Sequence, residues 1–152
     1  MPKWTIHHPD NVFTDLNERQ ALAQALTKMY TDVGLPPFYV AVIFIPHKSG
    51  AMYRGDLRLS QPDLEKPPYI YLSFTHVAKH FEPGESKEKT KFMEKVTEIL
   101  KPFIADKGWD WEMDGEERDL SFLLIQGLKI PPYGSEVQKL WARENRPTPY
   151  KL

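Results

Sequence analysis

A chain of 152 residues with 41% hydrophobic and 27% charged residues has the apolar material for a packed core. It fits one domain or two small fused units and excludes a disordered chain. The 20 Lys and Arg balance 21 Asp and Glu to a formal net charge of −1, so nothing electrostatic points to nucleic acid or to an anionic membrane.

Residues 3–8 alternate like a short strand, with Trp4 and Ile6 set against polar neighbours. Residues 15–33 predict a helix, since Leu22, Leu26, Met29 and Val33 recur at helical spacing. Asp15 with Glu18 suggests a capping box at its start, and Gly34, Pro36 and Pro37 end it. Phe38 to Ile45 is a continuous run of aromatic and β-branched residues, expected as a strand buried on both faces. The stretch from Pro46 to Pro68 is polar and broken by Gly and Pro, with a short extended piece around Met52 and Tyr53.

Tyr69 to His76 is a second strong strand. Ser86 caps a predicted helix running to about Lys107, with Phe92, Val96, Ile99, Leu100 and Phe103 on one face and Pro102 disturbing its last turns. Gly108 ends it, and residues 109–114 alternate like a half-exposed strand. Beyond them, Leu120 to Leu128 is expected to pair as an edge or intersubunit strand, and Ser135 to open a short final helix bearing Val137, Leu140 and Trp141.

The order strand, helix, strand is thus run twice, the second pass starting roughly 66 residues after the first. Each pass is a β-α-β crossover, which normally pairs its strands in parallel. The expected fold is α+β: a single domain of residues 1–152 in which two fused β-α-β units, 2–46 and 68–114, form a four-stranded, mainly parallel or mixed sheet. A connector, 47–67, joins them, and 115–152 is an extension. Both helices lie on one face, so the other face needs cover, and in a chain this short another subunit is the natural candidate.

The absence of cysteine excludes disulfides, thiol catalysis and Cys-based zinc sites, and fits a reducing, cytoplasmic setting. The N-terminal residues carry no apolar stretch of the kind a secretory leader needs, and no run approaches the ~20 apolar residues of a membrane helix.

Pro2 is the sharpest chemical feature. A methionine followed by a small residue is commonly removed, which would leave proline first, with a secondary amine in place of an amide. Such an amine acts as a base when neutral and as an acid when protonated. An ordinary α-amino group titrates near ~7.7–8.0, and burial beside apolar groups such as Trp4 or Trp111 would lower that value toward neutrality. With Met1 attached, the nitrogen is an amide and has no basicity.

Pro2 leading straight into a strand, two β-α-β units and about 150 residues resemble the tautomerase superfamily. The similarity is greatest to the fused-chain branch that includes cis-3-chloroacrylic acid dehalogenase and fungal oxalocrotonate tautomerase proteins. It is carried by Met1-Pro2-Lys3-Trp4-Thr5-Ile6-His7-His8-Pro9, Tyr30-Thr31-Asp32-Val33-Gly34-Leu35-Pro36, Phe38-Tyr39-Val40-Ala41-Val42-Ile43-Phe44-Ile45-Pro46, Lys107-Gly108-Trp109-Asp110-Trp111-Glu112 and Pro131-Pro132-Tyr133-Gly134-Ser135-Glu136. The resemblance implies a MIF-like fold, a homotrimer with sites near subunit boundaries, no metal, no organic cofactor, and a small 2-oxo, enol or 3-halo carboxylic acid as substrate.

The family's site residues carry over in part. Where dehalogenases have a histidine late in the first helix, this chain has Tyr30. Their arginine pair falls near Val77 and Lys79-His80, their tyrosine near Trp111, and their water-activating glutamate has no counterpart around Leu124 and Ile125. These departures argue against efficient hydrolytic dehalogenation and leave proton transfer open. The candidate catalytic residues are therefore Pro2, Tyr30 and His80, each of the last two set against a plainer role in packing or a solvated loop. His76, Lys79, Trp111, Arg54 and Arg118 are candidates for holding substrate. His76 and His80 lack a third ligand, so no metal site is expected. The rival readings are a non-catalytic trimeric binding or scaffold protein, and a weak hydratase or decarboxylase of three-carbon acids.

Overall fold

A computed structural model describes residues 1–55, 57–58, 66–77, 81, 84 and 86–151. The first unit comprises β1 (Lys3–Pro9), α1 (Leu16–Thr31) and β2 (Ala41–His47). A small hairpin of β3 (Tyr53–Arg54) and β4 (Leu57–Arg58) lies in the connector. The second unit comprises β5 (Tyr69–His76), α2 (Lys87–Leu100) and β6 (Asp110–Glu117). A two-stranded pair, β7 (Leu124–Ile125) with β8 (Leu128–Lys129), and α3 (Glu136–Glu144) complete the chain.

The four long strands form one sheet in the order β2-β1-β5-β6. Within each unit the strands run parallel; the units meet where β1 pairs antiparallel with β5, from Lys3 opposite Thr75 to His7 opposite Tyr71. The units also start alike. The Ala41 N–H donates to the Pro2 carbonyl at 3.0 Å, and the Asp110 N–H donates to the Pro68 carbonyl at 2.9 Å.

Alternation along the strands sends Trp4, Ile6, Ile70, Leu72 and Phe74 to one face, where they meet Leu22, Leu26 and Met29 of α1 and Val96 and Leu100 of α2. Both helices are capped by the side chains that precede them: Asp15 accepts from the Asn17 N–H at 2.8 Å, and Ser86 from the Lys89 N–H at 3.2 Å. Glu18 does not close a capping box; it pairs with Lys107, tying α1 to the end of the second unit.

Several expectations change. The strand expected from Phe38 starts only at Ala41, because Pro36 and Pro37 set up a 3₁₀ turn over Pro37–Tyr39. It is not buried on both faces: Ile43 is 44% exposed. Val33 lies past the last turn of α1 and is exposed. Pro102 tightens the end of the second helix into 3₁₀ turns, so α2 proper stops at Leu100. Residues 120–128 form no single strand but a 3₁₀ turn and half of the β7–β8 pair.

α3 packs on the first unit. Trp141 is fully buried against Phe38 and Tyr39, its indole N–H donates to the Thr148 carbonyl at 3.0 Å, and the Asn145 side chain accepts from the Phe38 N–H at 2.9 Å. Among the described residues no helix is long and apolar enough to cross a membrane.

Gly115 sits on β6 opposite Phe74, whose ring crosses the space a side chain would fill while lying 4.7 Å from the Trp4 ring. Because that ring is wedged in the core, Gly115→Ala should cost about 1–3 kcal/mol in urea denaturation. Phe74→Leu in the same chain should recover part of the loss; an Ala variant as stable as the parent would show that the ring moves freely.

Candidate functional site

Pro2 is buried at the end of β1 where the sheet meets the C-terminal extension. Extending the β1–β5 register by one residue brings it opposite His76, on the same face of the sheet. His76 is 5% exposed and sits among rings, stacked on Phe81 at 4.9 Å and edge-on to Phe92 at 5.0 Å. The Tyr30 ring lies 6.1 Å from it. The Tyr30 hydroxyl and the Trp4 indole N–H are both buried, close enough to influence one another but outside hydrogen-bond geometry. Burial holds the Tyr30 phenol well above its usual range, so it is a proton donor at neutral pH.

Two of the cavities around this cluster bear on Pro2 and Tyr30. The smaller, about 30 Å³, is bounded by Met1, Pro2, Leu35, Tyr39, Val77, Leu120, Ile130, Pro131, Tyr133 and Gln138. The larger, about 620 Å³ and mainly apolar, is lined by Met29, Tyr30, Val33, His76, Phe81, Phe92, Lys95 and Tyr133. Tyr133 forms part of both walls, its hydroxyl donating to the Val33 carbonyl at 2.7 Å.

The terminal amine of Met1 is pushed down to about 5, first by burial and then by the positive charge of Arg118. Arg118 is thus close to the chain's start. Its backbone N–H donates to the His76 carbonyl at 2.9 Å, and its guanidinium pairs with Glu116 at 2.9 Å.

Of the residues singled out in the sequence, Pro2, Tyr30, His76 and Arg118 come together. Arg54 and Trp111 do not. Trp111 is opposite Ile70, and Arg54 packs over the Tyr69 ring at 5.4 Å and pairs with Glu112 at 3.7 Å. Ile70 is six residues along β5 from His76, so both lie roughly 20 Å from Pro2. Lys79 and His80 lie outside the described residues. Among the described residues, no three His, Asp or Glu side chains converge as metal ligands.

Tyr39, Gln138 and Tyr133 were not anticipated. Tyr39 reads as one more strand residue until the preceding proline pair turns it toward the sheet's end. Gln138 did carry a signal: three positions before Trp141, it puts an amide on the buried side of α3.

Residues 1–146 match the family model described as "Putative oxalocrotonate tautomerase enzyme". Among solved structures, RhCC from Rhodococcus jostii RHA1 is 35% identical with a TM-score of 0.87, the match covering 97% of this chain and 99% of that one. A protein from the thermophilic fungus Aspergillus fumigatus is 33% identical with a TM-score of 0.86, covering 99% and 98%. N1, a member of the cis-3-chloroacrylic acid dehalogenase family, shares the fold at 18% identity and a TM-score of 0.61, covering 94% and 97%. No curated protein matches the chain. A family match over nearly its whole length, on the mixed four-stranded sheet expected of that fold, means that the chain belongs to the oxalocrotonate tautomerase-like family of the tautomerase superfamily.

Proposed function

We propose that this protein is a cofactor-independent cytoplasmic tautomerase in which Pro2, made N-terminal by removal of Met1, moves protons on a small 2-oxo or enol carboxylic acid. The observation that carries this reading is the burial of Pro2 among apolar walls at the start of β1, close to Arg118, surroundings that already push the Met1 amine down to about 5. In ketonisation, the neutral Pro2 amine takes the proton of the enol hydroxyl and delivers it to C-3 of the same acid, leaving the amine neutral again. Atoms balance without a co-reactant. Tyr30 and His76 line the cavity that takes the substrate, and Lys79 and His80, on the segment after β5, are proposed to draw in its carboxylate.

The outer sheet face supports a homotrimer. Ala41 and Ile45 are half-buried there, Ile43 is exposed, and β6 adds the acidic row Asp110, Glu112, Asp114 and Glu116. Arg54 and Trp111 would serve the Pro2 site only from a neighbouring subunit. Sedimentation should return three times the 17.7 kDa chain mass; a monomer at micromolar concentration would remove the trimer.

A second reading, a binding or scaffold protein without turnover, is favoured by one observation: Arg118, close to the chain's start, is already paired with Glu116. Intact mass separates the two, since a retained Met1 leaves Pro2 without a basic nitrogen. The relative Pt0534 has been captured inactivated by 2-oxo-3-pentynoate. The same reagent should add one equivalent to the N-terminal peptide of this protein and abolish ketonisation of phenylenolpyruvate. Pro2→Ala should lower turnover by at least ~100-fold, within the range general acid-base groups contribute. Undiminished turnover would take Pro2 out of the mechanism.

While Met1 is present, stability should fall as pH drops from 8 to 5. The unfolded chain protonates its terminal amine below 8.0, the folded chain only near 5. His7, in hydrogen-bond contact with His47 at 2.8 Å, and buried His8 are both held below 6.5, chiefly by burial, and add to the loss in the lower part of that window. An unfolding midpoint that is flat or rises on acidification over this range would contradict that burial.

A further inference from the structure

The Tyr39 hydroxyl has no hydrogen-bond partner, although the residue is only 3% exposed and borders the small recess that holds Pro2. Buried polar atoms in native proteins are nearly always paired, so an unpaired one beside a cavity calls for a partner that arrives from outside. Gln138 stands in the same wall and is as deeply buried. Its Oε1 accepts from the Gly134 N–H at 2.5 Å, which assigns the amide and leaves the Nε2 donor end without a partner among the described residues. Two residues that carry neutral donors therefore border the recess next to Pro2.

We propose that Tyr39 and Gln138 form a subsite for one oxygen of the substrate, the 2-oxo or enolate oxygen of a short acid, held beside the Pro2 nitrogen. The size fits: about 30 Å³ accommodates one or two water-sized groups and no carbon chain, so the body of the ligand lies elsewhere. The donor type fits as well. Burial keeps the Tyr39 phenol protonated far above neutral pH, so it offers a hydrogen that strengthens its bond as negative charge develops on the oxygen. Met1 forms part of the wall, and its removal widens the recess from the Pro2 side. The subsite also gives the C-terminal extension a task, since Ile130, Pro131, Tyr133 and Gln138 all come from it.

This rests on the proline-tautomerase reading for the identity of the oxygen, and the test keeps the two apart. Processed protein is titrated calorimetrically with 2-oxobutanoate, and 2-oxo-3-pentynoate labelling is followed separately. Tyr39→Phe should weaken 2-oxobutanoate binding at least tenfold while leaving the unfolding midpoint unchanged or raised, because it deletes a hydroxyl that has no partner in the free protein. Gln138→Glu retains the acceptor for Gly134 but places an anionic oxygen where the donor was, and should abolish binding with the circular dichroism spectrum intact. Parent protein that does not bind 2-oxobutanoate overturns the subsite. So does a Tyr39→Phe variant with parental affinity, or one whose only change is a lower midpoint. Tyr39-dependent binding with no Pro2 adduct would leave the subsite standing and sink the tautomerase chemistry.

Discussion

The antiparallel pairing of β1 with β5 is the contact on which the rest of the molecule depends. Each β-α-β unit alone has two strands and one helix, too little to bury an apolar face. Joined edge to edge, the two units make a four-stranded sheet whose common face takes both helices. The register of that pairing also decides the chemistry. Because side chains alternate, a slip of one residue would turn Trp4 and Ile6 outward and carry Pro2 away from His76. Packing and site geometry are therefore set by the same hydrogen-bond ladder.

Burial then does the electrochemical part. The apolar walls around the chain's start disfavour a charged nitrogen, and Arg118 adds a like charge at the same place. The arginine is in turn moderated by Glu116, so its pull on an incoming anion is shared.

Much of this could be read from residue order. The amphipathic spacing of Leu22, Leu26 and Met29, the alternating run Tyr69 to His76, and Ser86 ahead of a helix are local signals, and they led to the observed elements. Pro2 stood out because its chemistry depends on position alone. What stayed hidden was non-local. Nothing around Trp111 tells which residue of β5 it faces, and nothing around Arg54 tells that it packs over Tyr69, so their distance from Pro2 could not be read. Tyr39 was masked by its apolar neighbours, since a 3₁₀ turn after two prolines and the start of a strand look alike in hydropathy. Gln138 was legible as a buried amide from its spacing to Trp141, but its place beside Pro2 follows only once α3 folds back over Phe38 and Tyr39.

The repetition of the two units has an arithmetical outcome. Pro68 holds in the second unit the place Pro2 holds in the first, its carbonyl bonded to the following strand in the same way. Yet Pro68 sits mid-chain, and its nitrogen is locked in a peptide bond without a basic lone pair. Duplication of the scaffold therefore does not duplicate a chain-terminal nitrogen: a fused chain carries one terminus for every two structural halves. Near the start of the second unit, Arg54, Tyr69 and Glu112 are instead held in contacts with one another.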